Sequence, residues 1–417
     1  MEIPVTEVSL QNIAFEGTIT IPSNITLAQQ SFNSCTGITS LNVGNNVTIP
    51  GNSFVDCTSL KEITIGNDVL VLTGVYTQGT FSNCINLESV TIGINARFSG
   101  NWSDDTLSHH AFYNCKSLAN VTVGSISETT NNTFMNVGKA LKGDIIINEG
   151  VETIKIRAFK GCSNITNITI PNTVTSIENE AFYNCSNTEK ITISNMLEKI
   201  GEFAFYNCPG VKEVLEINDS TSLGQGAFSK CAGITSLKVG NNVTIPGNSF
   251  VDCTSLKEIT IGNDVLVLTG VWSQGTFSNC INLENVIIGI NARFSGNWSD
   301  DYLSHHAFYN CKSLANVTVG SISETTNNTF MNVGQALQGD IIINEGVETI
   351  KIRAFKGCTN ITSVTIPNSV TSIEANVFNG CTSLTNIYVD MTEDEFNNIT
   401  KDATWNSGVN ATITYKE

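Results

Sequence analysis

Four histidines occur in the 417-residue chain, and they stand in two adjacent pairs, His109-His110 and His305-His306. Each pair follows two aspartates, Asp104-Asp105 and Asp300-Asp301, so imidazole nitrogens and carboxylates that could ligate zinc or a harder divalent ion lie close in sequence. Neighbouring side chains seldom converge on one ion, however, and the ordinary repeat holds Asn179 and Glu180 at the histidine positions, where they read as solvated. Cys115 lies five residues beyond His110 and could serve it as nucleophile to base. The same cysteine recurs through the chain with no histidine near it, so its sulfur reads as part of a core. No paired-carboxylate signature, Gly-rich phosphate loop or nucleophile elbow stands out. The chain reads as no enzyme and implies no cofactor; the four histidines are weak metal candidates.

A second group of residues suits binding better than catalysis. Tyr76, Arg97, Phe98, Trp102, Asp104 and Asp105 mix aromatic, guanidinium and carboxylate groups, and Trp272, Arg293, Phe294, Trp298, Asp300 and Asp301 repeat the mixture. Aromatic and Arg side chains are the usual anchors of interfaces, and such a mixture recognises sugars or protein loops. The competing reading folds these rings down to cover the apolar side of the segments that carry them. Those segments are expansions of a regular unit, and extra residues in a repeat array emerge as loops on one face, often the binding face.

The unit itself positions everything else. Phenylalanine recurs at 32, 54, 81, 112, 134, 159, 182, 205, 228, 250, 277, 308, 330, 355 and 378, mostly 22 or 23 residues apart, and in thirteen of the fifteen cases a cysteine follows three residues later. Such a period marks a solenoid, whose units bury their apolar faces only by stacking. Thirteen cysteines at one equivalent site per unit read as a row of reduced core thiols rather than a disulfide framework; Val137 and Val333 fill the same slot. In Ile165-Thr166-Asn167-Ile168-Thr169-Ile170 the apolar residues fall at positions 1, 4 and 6, the last three alternating as in a strand with one buried face. Turns such as Pro171-Asn172 and Gly66-Asn67 follow, then an apolar pair such as Val174 and Ile177. A full circuit between strands makes successive strands parallel. The outward strand positions are small and polar, as in Thr166, Asn167 and Thr169, Glu189, Lys190 and Thr192, or Thr235, Ser236 and Lys238.

A larger period overlies the first. Residues 37–162 return as 233–358, offset by 196, with eight differences: Asn42/Lys238, Tyr76/Trp272, Thr77/Ser273, Ser89/Asn285, Thr91/Ile287, Thr106/Tyr302, Lys139/Gln335 and Lys142/Gln338. If the block carries a site, the chain carries two, and a second contact within one bound molecule adds avidity.

The unit from Ile165 to Cys185, with its Ala181-Phe182-Tyr183-Asn184-Cys185 ending, resembles the repeat of the BspA-like leucine-rich-repeat family, and the likeness runs from about Ile13 to Cys381. The tail, from Ile387-Tyr388-Val389 through Phe396, Trp405 and Ile413, looks like the segment that closes such arrays. The resemblance implies an α/β or mainly-β solenoid of about 15 repeats, with one short parallel strand per repeat and a C-terminal cap. Its expected divisions are 1–31 as a degenerate cap, 32–384 as continuous array and 385–417 as cap. It implies adhesion at a bacterial cell surface, to a protein or glycan on host or neighbouring cells, through the insertion loops and the outer strand face. The rival reading is a structural stalk or fibre component with no ligand site. A net charge of −17 opposes phosphate backbones and anionic lipid, so nucleic acid is not an expected partner. No run approaches a membrane helix, and Met1-Glu2-Ile3-Pro4 lacks the features of a signal peptide. An extracellular or surface location is therefore an expectation from the family alone.

Overall fold

The computed structural model describes residues 16–72, 79–99, 111–124, 134, 140–268, 275–295, 307–322, 330 and 336–417. The chain divides into two compact units, Met1–Val211 and Lys212–Glu417. Both are parallel β-solenoids, because every coil returns the chain to the same side of the core in the same direction.

In the first unit, strands Gly17–Ile21, Ile38–Val43, Glu62–Ile65, Ser89–Ile92 and Asn120–Val123 pair in chain order as a parallel sheet. Lys142–Ile146, Asn164–Thr169 and Lys190–Thr192 form a second sheet of the same kind. The second unit repeats the plan with Glu213–Ile217, Ile234–Val239, Glu258–Ile261, Asn285–Ser295 and Asn316–Ile322, and then with Gln338–Ile342, Asn360–Ile366, Asn386–Val389 and Thr412–Tyr415. Register is in step: Leu41 pairs with Ile63, Ile63 with Val90 and Val90 with Val121. All four are buried, while Thr64 and Thr91 between them face solvent. A one-residue slip would invert that whole pattern, which fixes the register.

Many of the described coils also carry a second, shorter strand after the turn. Thr48–Ile49, Leu70–Leu72 and Arg97–Ser99 pair in parallel, as do Thr153–Ile154, Ser176–Ile177 and Lys199–Ile200. These two- and three-residue strands are too short for alternation to reveal, but their buried members are the apolar pair's second residue, as at Ile177.

All fifteen repeat phenylalanines are buried. Their rings stack in rows: Phe159 and Phe182 lie 5.2 Å apart and 2° from parallel, and Phe182 and Phe205 lie 5.3 Å apart. In the second unit Phe228, Phe250 and Phe277 stack at 5.6 Å per step. Such ring pairs contribute about 0.5–1.5 kcal/mol beyond area burial. Beside them runs the sulfur row. No disulfide joins any of the thirteen cysteines, eleven of which are buried. The geometry explains why Cys accompanies Phe: thiols of the row donate to the carbonyl of the phenylalanine one coil back, Cys57 to Phe32 at 3.2 Å, Cys84 to Phe54 at 3.3 Å and Cys208 to Phe182 at 2.9 Å. A small apolar group with one weak donor satisfies both the packing and the carbonyl. Burial pushes the Cys57 and Cys381 thiols up to about 12, so these groups are held neutral. Val137 and Val333 lie outside the described residues.

The asparagines have structural work in the turns. Asn46, Asp68 and Asn95 take φ of 53°, 56° and 59°, the left-handed region that Asn and Asp tolerate best among residues with a Cβ. Beside them the Asn45 carbonyl oxygen accepts from the Asn67 amide at 2.8 Å, and that of Asn67 from Ile94 at 2.9 Å, a side-chain ladder joining coil to coil. At the far end, helix Glu393–Asn398 begins with a capping box in which Thr392 and Glu395 satisfy each other's backbone amides. It places the buried Phe396 against Trp405, and Trp405 stands edge-on to Phe378, 6.1 Å away, where the next phenyl ring of the row would lie.

Candidate functional site

The insertion strands correct one part of the sequence reading. Phe98 is 2% exposed and Phe294 3% exposed, so neither ring is available to a ligand. Phe98 lies in register with the buried Val71 of the preceding coil, and its ring packs tilted between Phe112 and Phe134 at 6.0 and 5.7 Å. Phe294 repeats this against Phe308 and Phe330 at 6.0 and 5.6 Å. The cause is visible in Ala96-Arg97-Phe98: with Ala96 and Phe98 turned inward, period-two alternation turns Arg97 out, and Arg97 and Arg293 are both exposed. The same alternation in Val69 and Val71 of the preceding coil could have revealed it. Tyr76, Trp102, Asp104, Asp105, Trp272, Trp298, Asp300 and Asp301 lie outside the described residues, as do His109, His110, His305 and His306.

What the described residues build is the outer face of the long sheets. Pairing sets Thr20, Asn42, Thr64, Thr91 and Thr122 side by side in the first unit, all exposed. The corresponding row of the second unit reads Glu216, Lys238, Thr260, Ile287 and Thr318. Strands about 4.8 Å apart make each row a closely spaced ladder of side chains. In the second unit Lys238 reaches Glu216 at 3.0 Å, and Ile287 is 53% exposed beside them. Ser236, one of the strand residues read as outward, is buried at 7%.

The eight differences between the duplicated blocks sort by position. Four fall among the described residues, at Asn42/Lys238, Ser89/Asn285, Thr91/Ile287 and Lys142/Gln338, and all four are outward strand positions. The described core residues of the two blocks are identical. The other four differences lie outside the described residues.

Short parallel strands laid rung on rung over phenyl and sulfur rows define a leucine-rich-repeat solenoid. The chain belongs to the BspA-type leucine-rich repeat region family, whose profile matches residues 1–103, 103–188, 129–257, 176–299 and 273–410. Among solved structures, a leucine-rich repeat protein from Bacteroides ovatus is 22% identical, with a TM-score of 0.44 over 96% of this chain and 92% of that one. A leucine-rich cell surface protein from Faecalibacterium prausnitzii is 21% identical, with a TM-score of 0.31 over 93% and 91%. The pneumococcal vaccine antigen PcpA is 14% identical, with a TM-score of 0.29 over 99% and 92%. No curated protein matches the sequence.

Proposed function

We propose that the chain is a non-enzymatic recognition module of a bacterial cell surface, which binds a protein or glycan through the insertion loops and the outer strand face. The observation that carries this reading is the pattern of divergence. Two blocks that began alike have kept every described core residue and changed at four outward strand positions, exchanging amide for ammonium at Asn42/Lys238 and hydroxyl for apolar side chain at Thr91/Ile287. Family membership supports the adhesive role and the surface location. No helix among the described residues is long and apolar enough to cross a membrane.

The test uses the full chain on beads, scored for attachment to cultured epithelial cells and to arrays of glycans and extracellular proteins. Lys238→Asn, Asn285→Ser, Ile287→Thr and Gln338→Lys together give the second block the four described outward residues of the first; Trp102→Ala with Trp298→Ala addresses the loops. Loss of a hot-spot contact costs about 2 kcal/mol or more, so at least one set is expected to reduce binding tenfold or more. Binding indifferent to both sets would favour the stalk.

A further inference from the structure

An open cavity of about 740 Å³, a size typical of ligand pockets, lies at the end of the second unit, between the turn at Asn368, the residues that follow strand Asn386–Val389, helix Glu393–Asn398 and Lys416. Val370 and Met391, 1% and 4% exposed, give it an apolar lining. Asp390 offers a carboxylate, Lys416 an ammonium, and Asn368 and Asn398 carboxamides, and all four residues are exposed. Backbone bonds fix the frame. Asp390 N donates to the Ile366 carbonyl at 3.0 Å, Lys416 N to those of Val389 and Met391 at 3.1 and 3.0 Å, and Thr400 N to that of Thr371 at 3.0 Å. The walls are therefore set before a ligand arrives, which lowers the cost of binding.

Two residues before Asp390 stands Tyr388, which is 43% exposed. Residues two apart along a strand face the same side, about 7 Å from each other, so the phenol ring stands beside the cavity. Register sets Thr365 on one side of Tyr388 and Thr414 on the other, which places hydroxyl groups next to the ring. The first unit has no such combination. Its Thr192, in register with Thr169 as Tyr388 is with Thr365, takes the place of the tyrosine, and Ser194, 5% exposed, takes that of Asp390.

We infer that the cavity and the Tyr388 ring form a binding site for a neutral saccharide. The Asp390 carboxylate only accepts hydrogen bonds, the Lys416 ammonium only donates, and the two carboxamides do both. A ligand that satisfies all of them must carry several groups able to donate and accept, and the hydroxyls of a sugar are such groups. An exposed tyrosine ring adds a rigid, flat surface that is apolar on its face and polar at its tip, which suits the C–H face of a pyranose. A peptide segment spaces its donors and acceptors singly along a chain and has no such face. Asp390 and Lys416 offset each other, while Glu395, which also lines the cavity, and the net charge of −17 disfavour an acidic sugar. The inference rests on the recognition role and names the ligand class at one place on the chain.

The test titrates the full chain, with fluorotyrosine at its tyrosines, by lactose, cellobiose, maltose, mannobiose and diacetylchitobiose, and by acetylated, amidated tetrapeptides as the alternative class. The Tyr388 fluorine resonance, assigned through Tyr388→Phe, is expected to shift saturably with at least one disaccharide and with no peptide. Asp390→Ala should weaken that response at least tenfold, and Tyr388→Ala should reduce affinity for the same sugar, read by saturation transfer, at least tenfold. Both side chains are exposed, so circular dichroism should be unchanged in the two variants. The inference is overturned if no disaccharide moves Tyr388, if peptides move it instead, or if either Ala variant binds sugar as the native chain does. Attachment of beads to cells with no saccharide response overturns this inference and leaves the recognition role standing; a saccharide response with no attachment does the reverse.

Discussion

Phe182→Ala will destabilise the first unit by about 3–5 kcal/mol, the range for removing a fully buried phenyl ring. The ring is completely buried, and it is stacked on both faces, by Phe159 at 5.2 Å and by Phe205 at 5.3 Å. Truncation therefore loses the transfer term, leaves a cavity and breaks two stacking contacts in one step. Relaxation is restricted, because each coil is held to its neighbours by strand pairing on the outer sheet, as between Asn167–Thr169 and Lys190–Thr192. Neighbours in a solenoid supply each other's stability, so the loss should spread to the coils on either side. Urea unfolding followed by circular dichroism checks the magnitude, and hydrogen exchange checks the spread. A change below about 1 kcal/mol would mean that the ring row is not a shared core.

Gly66→Ala and Gly262→Ala will each cost about 1–3 kcal/mol or more, the range for forcing an extra methyl into a packed site. A Cβ on Gly66 would lie 2.6 Å from the Gly44 carbonyl oxygen and 2.7 Å from its carbon; on Gly262 it would lie 2.6 and 2.7 Å from those of Gly240. The colliding atoms are the backbone of the coil beneath, which cannot swing aside as a side chain would. Glycine at these turns sets how closely successive coils stack. The two sites have the same surroundings, so equal losses in the paired variants, read from the same denaturation curves, would support the geometry. A neutral effect at both would contradict it.

How much of this could be read beforehand depends on whether the information is local. The Phe and Cys phrases and the strand alternation repeat within one unit of sequence, and they determine the solenoid, its direction and its core rows. The short second strand escaped because two residues such as Ser176–Ile177 show no periodicity. Phe98 was placed with the exposed aromatics because its segment departs in length from the ordinary repeat, although Ala96 and Phe98 keep the inward positions of Val69 and Val71. The pairing of Arg157 and Lys160 with Glu180 spans 20 to 23 residues and joins different coils. It becomes legible only when the register of one coil on the next is known.

Counting reactive thiols tests the central claim, that in each unit a buried sulfur row lies beside the phenyl row, most directly. In the native chain a thiol-specific disulfide reagent near neutral pH should titrate only Cys115 and Cys311, the two half-buried members of the row. The remaining eleven are buried and should react only after unfolding, bringing the total to thirteen. Prompt reaction of Cys185, Cys208 or their equivalents in the folded protein would place those sulfurs in solvent and contradict the account.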